Sequence, residues 1–284
     1  MTEPLSSAPN LLNGLRPHLE ALINLFFRVA RYHTKFPYHG FEHVSDARKA
    51  ILKLCENFNA TMPPHLIPGI ISNVVLIMTT GMEEMPVWLA ERSEKMAKNE
   101  LSYYSMVDYL EYVVWALGRE MVAPYLILIS KELLNGDWRE RSAALASLSV
   151  YGECECSTRS LPILMRLVIR SLADSHPRVR YYACSLLTSL IANFNLKNDA
   201  SLDAMEVLLP NLETEQPRVS LMSINTLRDL LKECPERIVT NNYDNVKTLL
   251  MNINHTKKDE HSDEQFKLLR NAAFCAILTL GDKT

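Results

Sequence analysis

The sequence predicts an all-α fold, a HEAT-repeat superhelix of about six helix pairs, and three observations support this prediction. A short motif recurs with a period of about 40 residues, the spacing of a repeat built from two helices. Apolar residues, 48% of the 284, recur between these motifs at helical spacing. Only eight glycines are present, too few for a turn-rich all-β protein. We expect one array over residues 11–284, behind a flexible segment at residues 1–10.

The recurring motif places an arginine ahead of a small residue and a leucine. Arg139 and Arg178 lie 39 residues apart, and Arg178 and Arg218 lie 40 apart. A proline precedes the second and third arginines, where the first turn of a helix tolerates its missing N–H. We expect the small residues to allow close helix packing and the leucines to form a buried stripe. The motif covers Asp137–Arg141, His176–Arg180 and Gln216–Ser220, followed by Ala144, Ala183 and Ser223 and by Leu148, Leu187 and Leu227.

The arginines of the motif have two interpretations. In the structural one, Arg139, Arg178 and Arg218 form a ladder of hydrogen bonds to the preceding turn and to acidic residues of adjacent repeats. In the functional one, they bind an acidic segment or a phosphate of a partner. Nucleic acid is an unfavoured partner, because acidic residues stand beside these arginines and the net charge of the chain is −3.

Helical periodicity continues on both sides of the motif and predicts six helix pairs. A long loop at residues 81–100 separates the two helices of the second pair, and a solvated loop at residues 254–263 separates those of the last pair. Such an array would expose an extended concave surface, which suits protein ligands rather than small substrates. The predicted pairs are 11–32 with 41–59, 64–79 with 101–119, 121–134 with 138–151, 161–173 with 178–194, 202–212 with 218–233, and 241–251 with 264–280.

Several of these stretches resemble a known family. Asn135–Arg141 (NGDWRER) looks like the HEAT consensus of the importin-β superfamily, and Asp174–Cys184 (DSHPRVRYYAC) is closer still to its beta-3 branch, also called importin five. Leu15–Glu20 (LRPHLE) falls in the same order as a similar stretch there. The resemblance runs from about Leu11 to Ile253 and corresponds to a central section of such a receptor. It implies a transport receptor that binds cargo, Ran and nucleoporin repeats, in the cytoplasm, the nucleus or both.

The chain departs from the family in the loop at residues 81–100. The family has a strongly acidic loop there, whereas this sequence reads MEEMPVWLAER from Met82 to Arg92. An acidic loop would attract basic cargo or assist its release by Ran, so its loss argues against Ran-regulated release. We therefore expect a non-catalytic adaptor that binds protein partners through the concave surface and this loop. The alternative is a Ran-linked import module that carries basic, histone-like or ribosomal-protein-like cargo.

Two apolar segments are candidate contact sites. Met85, Val87, Trp88 and Leu89 form an apolar cluster in the loop, and an exposed cluster of this kind marks a contact site. The alternative is that the loop docks onto the protein's own repeats.

The second candidate is an aromatic series in the helix after the loop. Tyr109, Tyr112 and Trp115 recur every three residues, close to one helical face. They either pack against the neighbouring repeat or form an aromatic anchor for a partner on the concave surface.

The sequence offers no catalytic centre, cofactor site or metal site. His33, His39 and His43 lack the cysteine pair of a zinc site, and Cys154-Glu155-Cys156 is too tightly spaced for one. Phosphate-binding glycine motifs and nucleophile elbows are absent from the sequence. No apolar run is long enough for a membrane span. The scattered cysteines suit reduced thiols in the cytosol or nucleus.

The end of the chain suggests a further hypothesis, self-association through the end repeats. Ala272, Phe274, Ile277 and Leu278 close the array without an obvious polar cap.

Overall fold

A computed structural model describes residues 14–32, 41–58, 61–80, 82, 88, 103–152, 160–194, 199–214, 216–233, 236–256 and 264–281. Within these ranges the chain forms twelve α-helices and no strands, which confirms the predicted fold class. They are α1 (Leu19–Tyr32), α2 (Phe41–Phe58), α3 (Ile67–Thr80), α4 (Tyr103–Leu117), α5 (Arg119–Leu133), α6 (Trp138–Gly152), α7 (Leu161–Leu172), α8 (Pro177–Asn193), α9 (Asp199–Leu208), α10 (Pro217–Glu233), α11 (Glu236–Thr256) and α12 (Glu264–Gly281).

The chain divides into two compact units. The first contains Met1–Met82 and Lys98–Leu126, and the second contains Glu83–Ala97 and Ile127–Thr284. In the first unit, α1 packs on α2 and α3 packs on α4, while α2 lies against α4 and α1 lies against α3. These contacts are those of two stacked helix pairs. The expectation of one array over residues 11–284 stays a prediction.

The second unit stacks its helices in two rows. The second helices of the predicted pairs, α6, α8, α10 and α12, pack in sequence against one another. The first helices form the other row, in which α7 contacts α9 and a 3₁₀ turn, Leu209–Glu213, contacts α11. The small residues predicted at the contacts between second helices, Ala144, Ala183 and Ser223, are all fully buried. A Cβ added at Gly152 in α6 would lie 3.2 Å from the Ser189 Cβ in α8, so these two helices approach closely.

Two boundaries differ from the sequence prediction for identifiable reasons. The predicted helix 202–212 is instead α9 followed by the 3₁₀ turn, because Pro210 cannot continue an α-helical hydrogen-bond pattern. Helix α11 is longer than the predicted 241–251 at both ends. Burial of Val246, Leu250 and Ile253 outweighs the weak helix propensity of the asparagines in this segment.

No helix within the described ranges is both long and apolar enough to cross a membrane.

Candidate functional site: a column of arginine and aromatic side chains

The candidate site lies where the second helices α6, α8 and α10 begin. Asp137 caps α6, since its Oδ1 accepts hydrogen bonds from the backbone N–H groups of Arg139 at 2.8 Å and Glu140 at 3.0 Å. The Glu140 carboxylate accepts the N–H of Asp137 in return at 2.9 Å, which completes a capping box. Pro177 and Pro217 are the first residues of α8 and α10, as predicted. These starts fix the positions of the side chains that follow.

Arg141 and Arg180 make hydrogen bonds of the predicted ladder type. Arg141 donates to both carboxylate oxygens of Asp174, at 2.8 and 3.0 Å, and to the carbonyl of Gly136 at 2.8 Å. Arg180 donates to the carbonyl of Asp174 at 2.8 Å. These bonds use Arg141 and Arg180, the second arginines of the first two motifs, whereas the third motif has Ser220 at this position. Arg139, Arg178 and Arg218 make further contacts of their own, so their membership of the ladder stays a prediction.

The first arginine of each motif belongs to a stack of cations and aromatic rings. The Arg139 guanidinium lies 4.5 Å from the centroid of the Trp138 ring. Arg178 lies between Trp138, at 6.0 Å, and Trp88, at 5.5 Å. Arg218 lies 4.7 Å from the Trp88 ring and 5.4 Å from the Tyr181 ring. We call this set the arginine–aromatic column: Arg139, Trp138, Arg178, Trp88, Arg218 and Tyr181.

Trp88 supplies the central ring of the column from the 81–100 loop. Its side chain is 0% exposed, and its ring meets Tyr181 edge to face with centroids 5.6 Å apart. Arg218 Nη1 donates a hydrogen bond to the carbonyl oxygen of Trp88. The expectation that Trp88 is exposed is therefore wrong, and the alternative, docking onto the protein's own helices, describes it. Met85, Val87 and Leu89 lie outside the described residues, and their role in partner binding stays a prediction.

Arg178 is the most deeply buried cation of the column, at 0% exposure. A guanidinium is a favourable cation to bury between rings, because its planar, weakly hydrated surface stacks on aromatic faces. Its spacing of 39 residues from Arg139 and 40 from Arg218 places one arginine at each of three consecutive helix starts, and each of the three lies over an aromatic ring. The sequence could have indicated this, because Trp138 sits one residue before Arg139.

His176 extends the same cluster beside Trp138. Its ring stacks on Trp138 with centroids 4.4 Å apart and an interplanar angle of 10°. Burial lowers the pKa of His176, and the positive charges of Arg141, Arg178 and Arg180 lower it further, against an opposing effect of Asp174. This role was not predictable from the sequence, because an isolated histidine before a proline is also an ordinary turn residue.

The lowered pKa of His176 predicts a pH dependence of stability. As the pH falls through the ordinary histidine pKa of about 6.5, the unfolded chain binds a proton that folded His176 still excludes. The stabilisation is thus complete above this pH and declines below it, until folded His176 itself becomes protonated. Thermal unfolding between about pH 5 and pH 8 should show a shallower decline for His176→Gln than for the wild type. An identical slope for the two proteins would contradict the prediction.

The aromatic series in α4 divides between the protein interior and the surface. Tyr109 is buried, and its hydroxyl donates to the carbonyl of Arg48 in α2 at 3.2 Å, which agrees with the packing interpretation for this residue. Tyr112 and Trp115 are 59% and 66% exposed. Asp108 and Glu111 lie on the same helical face as these two rings and are also exposed. Partial burial raises the pKa of Asp108.

The remaining sequence candidates have simpler surroundings. Cys55 and Cys184 are buried and free, and desolvation raises the pKa of each thiol to about 12, so both are protonated and unreactive. His33, His39, Cys154 and Cys156 lie outside the described residues. Among the residues that the structure describes, no group of three His, Cys, Asp or Glu side chains is arranged to hold a metal.

The end repeat has exposed apolar side chains. Phe274 and Leu278 are exposed on α12, whereas Ala272 is buried. Self-association through this face stays a prediction.

Sequence comparisons match parts of the chain to two groups of proteins. The model of a family described as non-SMC mitotic condensation complex subunit 1 matches residues 141–279, less than half of the chain. A curated relative, importin subunit beta-3 of Saccharomyces cerevisiae, is 29% identical over 129 residues. That alignment covers 43% of this chain and 12% of the relative.

Comparison with solved structures extends over nearly the whole chain. Kap121p bound to Nup53p matches 94% of this chain with a TM-score of 0.73 and 18% identity. Kap121p bound to RanGTP matches 96% with a TM-score of 0.70 and 19% identity. The chain has the fold of a karyopherin.

The karyopherin resemblance indicated by the sequence motifs is confirmed by these matches, and so is its extent. The chain spans 26% and 27% of the two Kap121p chains, so it corresponds to a section of a longer karyopherin solenoid. Nup53p and RanGTP are the partners of Kap121p in those structures. At this level of identity, what the karyopherin likeness establishes for this chain is the HEAT-repeat fold.

Proposed function

We propose that this chain is a non-catalytic adaptor of the importin-β-like type, which binds basic segments of other proteins through its second helices. The observation that carries the proposal is the exposed face of α4, which Tyr112 and Trp115 share with Asp108 and Glu111. Large aromatic residues dominate the energetics of protein interfaces, and two of them exposed on one helical face favour a contact surface. As with other karyopherin-like proteins, we expect it in the cytoplasm, the nucleus or both.

The charge of α4 selects the chemistry of the partner. The helix carries two carboxylates, Asp108 and Glu111, and no lysine or arginine between Tyr103 and Leu117. An extended segment rich in lysine or arginine would meet complementary charge at both carboxylates. Its cations and aliphatic stems would also lie against the faces of Tyr112 and Trp115, where cation–π attraction adds to apolar contact. Binding of a basic protein segment accounts for all four residues of this face without a small-molecule ligand.

A direct binding measurement tests the α4 surface. Fluorescence anisotropy with a labelled lysine-rich peptide should give a dissociation constant that Trp115→Ser raises by about tenfold or more, the effect expected for an interface anchor. Asp108→Asn combined with Glu111→Gln should also weaken binding and reduce its salt dependence.

The matched control is Leu25→Ser, which removes an exposed apolar side chain, 52% accessible, from the first helix α1. It should leave the dissociation constant unchanged. Equal affinities of the wild type and Trp115→Ser would exclude α4 as the binding surface.

A Ran-linked import module is the second candidate. The observation that favours it is the match to Kap121p in its complex with RanGTP, which covers 96% of this chain. Capture with Ran loaded with GTP, compared with Ran loaded with GDP, distinguishes the two candidates. Nucleotide-dependent binding that also releases the lysine-rich peptide would favour the import module, whereas peptide binding that ignores Ran would favour the adaptor.

A further inference from the structure

We infer that the Trp88 seat, defined as Arg178, Tyr181 and Arg218, is an exchangeable binding site for a tryptophan-containing acidic segment of a partner protein. In this structure the protein's own Trp88 occupies the seat. This site is distinct from the α4 surface and of opposite charge, so it adds a second partner chemistry to the proposed function.

Among the described residues, the walls of the seat come from helices α8 and α10. Arg178 and Tyr181 lie in the first turns of α8, and Arg218 is the second residue of α10. Tyr181 is supported by an edge-to-face contact with Tyr182, with ring centroids 5.2 Å apart. Arg178 also lies 6.0 Å from the centroid of the Trp138 ring. The helical framework therefore holds these side chains near their positions when the loop is displaced.

The recognised features are general enough for a peptide from another protein to supply them. The seat contacts an indole ring through two guanidinium groups and one tyrosine edge, and it binds one main-chain carbonyl through Arg218 Nη1. A peptide with one tryptophan presents both groups. Two arginines also favour nearby carboxylates, and in the sequence of the loop Glu83, Glu84 and Glu91 flank Trp88.

The occupancy by the protein's own loop has one unfavourable feature. The indole Nε1–H of Trp88 is buried, and no described residue accepts a hydrogen bond from it. A buried donor without an acceptor disfavours the bound state. The loop nevertheless has the advantage of being tethered, because its effective concentration at the seat exceeds that of a free partner. Only a partner that binds well, or is itself held nearby, would displace it.

The test uses a labelled peptide that copies residues 82–92 of this chain, with the full-length protein as receptor. The Trp88→Ala protein has an empty seat and should bind the peptide at least about tenfold more tightly than the wild type, whose seat is filled. The same peptide with alanine in place of its tryptophan should not bind. Adding Arg218→Ala to the Trp88→Ala protein should abolish binding.

Equal binding of the peptide to wild type and Trp88→Ala, or binding that does not depend on the peptide's tryptophan, would overturn the inference. Thermal unfolding checks that each variant is folded. If Trp88→Ala does not fold, Trp88→Leu replaces it, because leucine keeps apolar volume but gives up the cation–π contacts, and the same ranking is expected. Adding Trp115→Ser to Trp88→Ala should leave peptide binding intact, which separates this site from the α4 surface.

Discussion

Replacing Trp88 by alanine is expected to lower the free energy of unfolding by about 3 kcal/mol, at the low end of the range for a buried tryptophan. The substitution removes an indole that is 0% exposed, together with its contacts to two guanidinium groups and the edge of Tyr181. It also leaves Arg178 beside a cavity in place of a ring. Chemical denaturation followed by circular dichroism measures the change.

Trp115→Ala is the matched control for this prediction. It is the same substitution, made at a tryptophan that is 66% exposed on α4. We expect a change within about 0.5 kcal/mol, as for most surface substitutions. If both substitutions had equally small effects, Trp88 would not be packed in the column, and the inferred seat would lose its structural basis.

Replacing Arg141 by alanine is expected to cost about 2 kcal/mol, the scale of hydrogen bonds to a charged group lost from a partly buried pair. Arg141 is bidentate to Asp174 and also binds the Gly136 carbonyl, so one substitution removes two hydrogen bonds between neighbouring repeats and one within its own repeat. It also leaves the half-buried Asp174 carboxylate without its guanidinium, which adds a desolvation cost. Thermal and urea unfolding measure the loss.

Lys53→Ala provides the comparison for Arg141. Lys53 and Glu56 form an ion pair at 2.7 Å, shorter than any contact of Arg141, but the lysine is exposed. Solvent screens such a pair, so its loss should change the free energy of unfolding by less than about 0.5 kcal/mol. Equal effects of the two substitutions would mean that Arg141 does not connect the repeats.

The helices were predictable from sequence because their determinants are local. A period near 40 residues, prolines at 177 and 217, and small residues at 144, 183 and 223 each describe one element or one contact between neighbours. The two misplaced boundaries have different origins. At α9 the cause is also local, because Pro210 ends the α-helix. At α11, burial against other helices keeps an asparagine-containing segment helical, which a single segment does not reveal.

The candidate site was predictable only in part. The spacing of Arg139, Arg178 and Arg218 indicated that they occupy equivalent helix starts, and the structure places each of them near an aromatic ring. Their contacts could not be inferred, because the ring between two of them belongs to a residue 130 positions away from Arg218 in the sequence. The apolar character of the loop suggested equally a partner contact or a contact within the protein. For Trp88, the choice between a partner contact and a contact within the protein depends on the positions of α8 and α10.

The hydrogen bonds between the turns of successive repeats affect how the second unit unfolds locally. Asp174 is held by Arg141 of the preceding repeat, while Arg180 reaches Thr214 at 3.4 Å and Asn211 donates to Leu172 at 2.8 Å. Each of these bonds joins one repeat to the next, so unfolding of a single repeat would remove hydrogen-bond partners from its neighbour. Amide protons in α6, α8 and α10 would then exchange with solvent as one cooperative block, and local fraying would stop short of this part of the chain.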